Sequence, residues 1–111
     1  MKLNENARFY VSDTGWVDFD EVAILDSIED AVASLWSSRE TERTFLYICL
    51  EDESGKYYDE ATLGRIVIDQ NDNIWWFNMA PNVNYAYKVE RPEEILNLLK
   101  KNEIFCEYLV L

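Results

Sequence analysis

The stretch TLGRIVIDQNDNIWWFNM, Thr62 to Met79, sets two apolar runs on either side of a polar turn. Runs of this kind bounded by Asn and Asp predict a β-hairpin, with strands over Thr62–Asp69 and Asn73–Met79 around Asn71-Asp72. Successive strand residues point to opposite faces, so Trp75 and Trp76 cannot enter one core. A two-residue turn pairs Ile68 with Trp75 and Ile66 with Phe77. It gathers Trp75, Phe77 and Met79 on the core face with Ile66 and Ile68, leaving Arg65, Val67 and Trp76 on the other. A three-residue turn pairs Ile66 with Trp76 and sends Trp76 inward. We expect the two-residue turn, with Trp76 facing outward where Arg65 can lie over its ring.

Working outward, Thr44 to Leu50 is almost continuously apolar, which predicts a strand covered on both faces, and Glu51-Asp52-Glu53-Ser54-Gly55-Lys56 interrupts it as a charged loop. Ala7 to Val11 predicts a short strand, Thr14-Gly15 a turn, and Trp16 to Asp20 an edge strand or ordered loop. Ser27 to Arg39 predicts a helix. Ser27 is its cap and Asp30 stands at the capping-box position, while Ile28, Ala31, Val32, Leu35 and Trp36 recur at spacings of three and four. Pro92 opens a second helix with Glu93 and Glu94 in its first turn; Ile95, Leu98 and Leu99 form its apolar side, and Lys100-Lys101-Asn102 ends it. Ile104 to Leu111 is expected to be a last strand. The order is that of an α+β fold: a mainly antiparallel sheet of about five to six strands packed by two helices. With 111 residues, no repeat and no linker-like tract, a single domain over 1–111 is expected, large enough for a hydrophobic core without metal or disulfide staples.

Met1 to Asn6 carries no signal-like apolar stretch, and no apolar run is long enough to cross a bilayer, so a soluble cytoplasmic protein is expected. Cys49 and Cys106 lie in apolar runs without a CxxC pattern and are expected as reduced core thiols. The chain has no histidine, which excludes Cys/His zinc sites and any Ser-His or Cys-His dyad. Its three glycines form no phosphate-binding loop. Asp18, Asp20 and Glu21 lack the glycine and distal glutamate of an EF-hand. We therefore expect no enzyme, no cofactor and no metal.

The net charge is −12, and it is unevenly spread: Asp13 to Glu60 holds fourteen acids against Arg39, Arg43 and Lys56, whereas the rest of the chain is balanced to within one charge. A polyanion or an anionic membrane is disfavoured as a direct ligand, because phosphate binding needs clustered Lys and Arg. An acidic face suits a basic protein partner or simple solvation. Among the aromatics, Trp36, Phe45, Trp75, Phe77 and Phe105 sit in apolar patterns and are expected in the core. Tyr57, Tyr58, Trp76, Tyr85 and Tyr87 lie beside polar residues and are candidates for an interface, where Trp and Tyr supply large contact area at low entropic cost. With them we place Asp18, Asp20, Glu21, Glu51, Asp52 and Glu53 as steering or pairing acids.

The helix Ser27–Leu35, the strand Thr44–Ile48, and the pair Leu63–Ile68 and Ile74–Phe77 together resemble an immunity-protein family found beside bacterial polymorphic toxins. The resemblance covers the middle half of the chain. It departs from the family pattern in the long segment from Glu51 to Glu60 and in the first twenty residues. It implies a protein that binds a secreted toxin, such as a nuclease or nucleic-acid deaminase, and covers its active site. The expected partner is thus a basic toxin domain, with no direct nucleic acid and no membrane. Two rivals stand beside this reading: a phage or plasmid anti-defence protein mimicking nucleic acid with its acidic face, and a small acidic enzyme or ligand-binding domain using a carboxylate pocket. The sequence leaves the oligomeric state open.

Overall fold

The apolar sides of two helices close over one face of a sheet. The computed structural model describes residues 2–12, 22–39, 44–79 and 85–110. Their elements run β1 (Lys2–Leu3), β2 (Ala7–Ser12), α1 (Ile28–Ser37), β3 (Thr44–Glu51), β4 (Tyr57–Ile68), β5 (Ile74–Asn78), β6 (Tyr85–Val89), α2 (Pro92–Leu99), α3 (Glu103–Cys106) and β7 (Leu109–Val110). Strands β2-β3-β4-β5-β6 form an antiparallel sheet in chain order, and β1 pairs with β7 in a separate two-stranded ribbon. This is the α+β architecture expected. No helix among the described residues is long and apolar enough to cross a membrane.

Both long helices begin as the sequence dictates. The Ser27 hydroxyl accepts from the Asp30 backbone N–H at 3.1 Å, and Glu94 reaches back to accept from the backbone N–H groups of Glu90 and Arg91, satisfying donors that a helix start leaves open. Past the end of α1, Arg39 donates to the Trp36 carbonyl at 2.6 Å and lies over the Trp36 ring. Helix α1 packs on β2 and β3, α2 on β5 and β6, and the helices touch each other. The core joins Ala31, Val32 and Leu35 of α1 and Ile95 and Leu99 of α2 to Phe9, Leu46, Ile48, Leu63, Ile66, Trp76 and Val89 of the sheet. Each large aliphatic side chain so buried contributes about 1.5–3 kcal/mol.

The hairpin takes the other register from the one expected. Ile66 pairs with Trp76, Val67 with Trp75 and Ile68 with Ile74. Trp76 is therefore the inward residue, fully buried. Trp75 and Phe77 share the opposite face with Arg65 and Val67, half-buried, and the Arg65 guanidinium lies over Phe77 at 4.6 Å rather than over Trp76. The reason lies in the turn. Asp69 and Asn73 close it with a backbone bond of 2.9 Å, leaving the three residues Gln70, Asn71 and Asp72, of which Asp72 alone is left-handed at φ 63°. A two-residue turn of the favoured kinds needs both central residues left-handed (type I′) or a glycine at the first of them (type II′). Asp69 fixes the choice: its Oδ1 accepts from the N–H of Asn71 (2.8 Å) and Asn73 (2.9 Å), and its Oδ2 accepts from Trp75 Nε1 at 3.0 Å.

These donors, the Trp75 indole foremost, hold the Asp69 carboxyl at about 2, below its ordinary 3.8. Because the folded-state value is the lower one, the carboxylate stabilises the hairpin fully above about pH 4, and this contribution is lost as the pH falls toward 2. Asp69→Asn keeps the size but loses the charge and an acceptor. Its melting temperature is expected to lie below wild type above pH 4, with the gap closing toward pH 2 in a series of thermal melts. A gap independent of pH would contradict the role of the charge.

Trp76 is held by a buried polar chain. Its Nε1 donates to Asn78 Oδ1 at 3.1 Å; Asn102 Nδ2 donates to the same oxygen at 2.9 Å and to the Leu63 carbonyl at 3.0 Å. Asn102 also caps α3, its Oδ1 accepting from Phe105 N–H at 2.8 Å. That cap explains a second correction. The run from Ile104, expected as a strand, is instead the short helix α3, which buries Phe105 and leaves only Leu109–Val110 for β7. Strands β1 and β6 were not anticipated, and β4 begins five residues before the expected Thr62.

The sheet face away from the helices carries a second cluster, Tyr10, Tyr47 and Cys49, covered by Val22 and Ile24 with Phe45 and Tyr57 packed beside it. Tyr10 and Tyr47 stack at 4.9 Å. Of the aromatics expected in the core, Phe105 is buried, whereas Trp36, Phe45, Trp75 and Phe77 are half-buried. Both cysteines are free; Cys49 is buried and Cys106 half-buried on α3. The expected turn at Thr14-Gly15 and the extended segment from Trp16 to Asp20 lie outside the described residues.

Candidate functional site

Strand β4 is twelve residues long, but β5 pairs only with its second part, from Gly64 to Ile68. The end of the β3–β4 hairpin, from Glu51 to Glu60, consequently projects past β5. Its turn is rigid for a local reason. Asp52 Oδ1 accepts from Ser54 N–H (2.9 Å), Ser54 Oγ (2.7 Å) and Lys56 N–H (2.9 Å), and Gly55 supplies the left-handed residue at φ 85°. These bonds, that from the Ser54 hydroxyl first, hold the Asp52 carboxyl below the usual carboxylate range.

Five acids, Glu51, Asp52, Glu53, Asp59 and Glu60, stand on this end against Lys56. Their engagements differ. Glu51 makes an ion pair with Arg8 at 3.2 Å, the only ion pair among the described residues, and accepts from the hydroxyl of Tyr57, its cross-strand neighbour. Burial and then the Glu51 charge push the Tyr57 phenol up. Asp52 is spent on its own turn. Glu60 acts on Tyr10, whose phenol is raised first by burial and then by that carboxylate. Glu53 and Asp59 are exposed, and Tyr58 beside them is half exposed at 50%. Asp59 sits at φ 57° where the β3–β4 register is irregular, and the Tyr108 hydroxyl donates to its carbonyl.

Of the residues singled out from sequence, the hairpin thus brings together Glu51, Asp52, Glu53, Tyr57 and Tyr58. Only Glu53 and Tyr58 of these face solvent without a structural task. Trp76 is removed from the interface altogether, because it is a core residue. Asp18, Asp20 and Glu21 lie outside the described residues. Tyr85 and Tyr87 are exposed, with ring centroids 6.5 Å apart, but on β6. Tyr85 aligns through Asn78 with Gly64, six positions along β4 from Tyr58, or about 20 Å at strand rise. The acids and this tyrosine pair therefore form two surfaces and not one.

Asp59 and Glu60 are not among the residues singled out from sequence; the repeated acid and tyrosine types flanking Lys56 were the available signal. Cys49 offers no nucleophile, since burial and then Glu60 push its thiol up to about 11. A groove of about 590 Å³ in the helix layer, lined by Ile28, Leu96, Leu99 and Phe105 with Glu29 and Glu93 at its margin, contains none of the residues chosen from sequence. Comparisons with protein-family models, with curated proteins and with solved structures found no match.

Proposed function

We propose that this chain is an immunity protein that binds a basic, nucleic-acid-targeting toxin domain in the cytoplasm and inhibits it by occlusion, with no chemistry of its own. The observation that carries the reading is the projecting hairpin end, where Glu53 and Asp59 flank the exposed Tyr58 with no cation within pairing distance among the described residues. A toxin acting on nucleic acid needs a positive groove for its substrate. A narrow acidic finger complements such a groove in shape and charge. Long-range attraction raises the association rate, and an aromatic anchor desolvated on contact slows release. The turn is already fixed by Asp52, so little conformational freedom is lost on binding.

The structure also refines which variant tests this. Reversing Asp52 would break the turn, and reversing Glu51 would strand Arg8. Glu53→Lys with Asp59→Asn changes the charge while Asn keeps the left-handed backbone. Co-expression with the toxin encoded beside this gene should restore growth, and the purified toxin's cleavage or deamination should stop at equimolar protein. The double variant should bind about tenfold more weakly, mainly through slower association, with a shallower salt dependence. Absence of neutralisation by the wild-type chain would reject the function, and an unchanged association rate in the variant would reject the hairpin as its site. If the chain instead competes with DNA for a restriction or defence nuclease, the nucleic-acid-mimic reading takes its place.

A further inference from the structure

The projecting finger needs support, because a two-stranded hairpin by itself is marginally stable and β5 pairs with β4 only from Gly64 onward. Its base is tied to the ribbon β1–β7. On the β3 side, the Glu51 backbone N–H donates to the Asn6 carbonyl at 3.0 Å, and the Glu51 carboxylate pairs with Arg8. On the β4 side, the Tyr108 hydroxyl donates to the Asp59 carbonyl. The two anchors meet in one frame: Asn4 N–H donates to the Tyr108 carbonyl at 2.8 Å, Asn4 Oδ1 accepts from Asn6 N–H at 2.8 Å, and β1 pairs with β7 immediately beyond. The ribbon thus clasps both strands of the finger where it leaves the sheet.

Asp59 is the point on which the clasp acts. Ile48 pairs with Ala61 and Leu50 with Tyr58, so Cys49 stands opposite both Asp59 and Glu60 in a β-bulge. Bulges bend the strand and re-aim its side chains, and a left-handed first residue in one is usually glycine. Here it is an aspartate at φ 57°, a conformation that a residue with a side chain keeps when its surroundings fix it. Tyr108 supplies that constraint. Its ring is buried in the main core, so packing fixes where its hydroxyl points. Burial, and then the Asp59 charge, push its phenol up to about 12, so it remains a donor throughout the neutral range.

We propose that Tyr108 is the positioning residue of the finger: by holding the Asp59 carbonyl it fixes the bulge, and the bulge aims Tyr58 and Asp59 at the partner. This role rests on the reading of the hairpin end as the toxin contact, and it extends the binding determinants to a buried residue behind that contact. A finger already held in its bound shape loses less freedom on binding. Tyr108 leaves the charges of the finger untouched, so its share in affinity is separable from electrostatic steering.

Tyr108→Phe removes the hydroxyl and keeps the ring in the core. Amide hydrogen exchange of the free full chain, read by NMR, should show the finger amides from Glu51 to Glu60 exchanging at least about fivefold faster than in wild type, relative to those of Leu46, Ile66 and Trp76 in the centre of the sheet. The circular dichroism spectrum should stay unchanged. The variant should bind the purified toxin at least about fivefold more weakly, with the wild-type dependence of association rate on salt, in contrast to Glu53→Lys with Asp59→Asn. Finger exchange at the wild-type rate, equal acceleration across the whole sheet, loss of the fold, or wild-type affinity beside a loosened finger would each overturn the role. All four leave neutralisation by the wild-type chain standing, whereas a wild-type chain that fails to neutralise the toxin rejects the function and leaves the exchange rates to decide the clasp.

Discussion

Replacing Trp76 with alanine is expected to lower the unfolding free energy by about 3–5 kcal/mol, the range for truncating a buried large aromatic. Trp76 is the largest fully buried side chain among the described residues, and the cavity left by its ring would open between the helices and β4 and β5. Its loss also removes the Nε1 donor to Asn78 inside the buried chain that ends on Asn102 and the Leu63 carbonyl. Against a typical total of about 5–15 kcal/mol, such a loss brings the protein close to unfolding at room temperature. Trp76→Phe should cost less, because a ring remains and Asn102 still donates to Asn78. Urea denaturation followed by circular dichroism gives both numbers. An effect of Trp76→Ala within about 0.5 kcal/mol, as for an exposed site, would restore the register with Trp76 outward.

The two long helices, β2, β3 and the existence of the β4–β5 hairpin are legible from hydrophobic period and caps alone. The hairpin register is not. A period of two is satisfied equally by Trp75 or Trp76 inside, since Ile66, Val67 and Ile68 offer an apolar partner on either face. The decision is made by one side chain, Asp69, which collects the donors of Asn71, Asn73 and Trp75 and so selects the longer turn. A usable cue stood nearby in Gly64, because glycine within a strand marks close approach by another group. The run after Asn102 failed for a different reason. Four apolar-rich residues do not distinguish strand from helix, and the buried cap that decides it bonds to residues far away in the chain.

The acidic site was legible as a charge count and not as an arrangement. Nothing in the spacing of Glu51 and Arg8, forty-three positions apart, announces their ion pair. Asp52 looked like a free steering charge, although the sequence Asp-Glu-Ser-Gly-Lys is a natural setting for a carboxylate that caps its own turn. Tyr57 and Tyr58 looked equivalent, and strand alternation separates them: one turns to the buried Tyr10 cluster, the other to solvent. What remains available for binding is smaller than the composition implied and better defined.

Gly64→Ala is expected to cost about 3 kcal/mol or more, at or beyond the upper end for overpacking in a core. The residue pairs with both Leu46 and Asn78 in the middle of the sheet, so its backbone cannot drift. A Cβ there would overlap the Phe77 carbonyl oxygen and Trp76 Cζ2, and would stand 2.6 Å from Trp76 Cη2. The carbonyl belongs to the neighbouring strand, and moving it opens the β4–β5 ladder; the indole is pinned by Asn78 and the helices. Neither obstacle yields cheaply. A double-mutant cycle separates them: in a Trp76→Leu background the ring is gone while the carbonyl remains. If the ring carries a substantial share of the clash, Gly64→Ala should cost at least about 1 kcal/mol less in that background. Strict additivity would assign the whole penalty to the backbone, whereas a Gly64→Ala protein as stable as wild type would show that Trp76 does not lie over Gly64 at all.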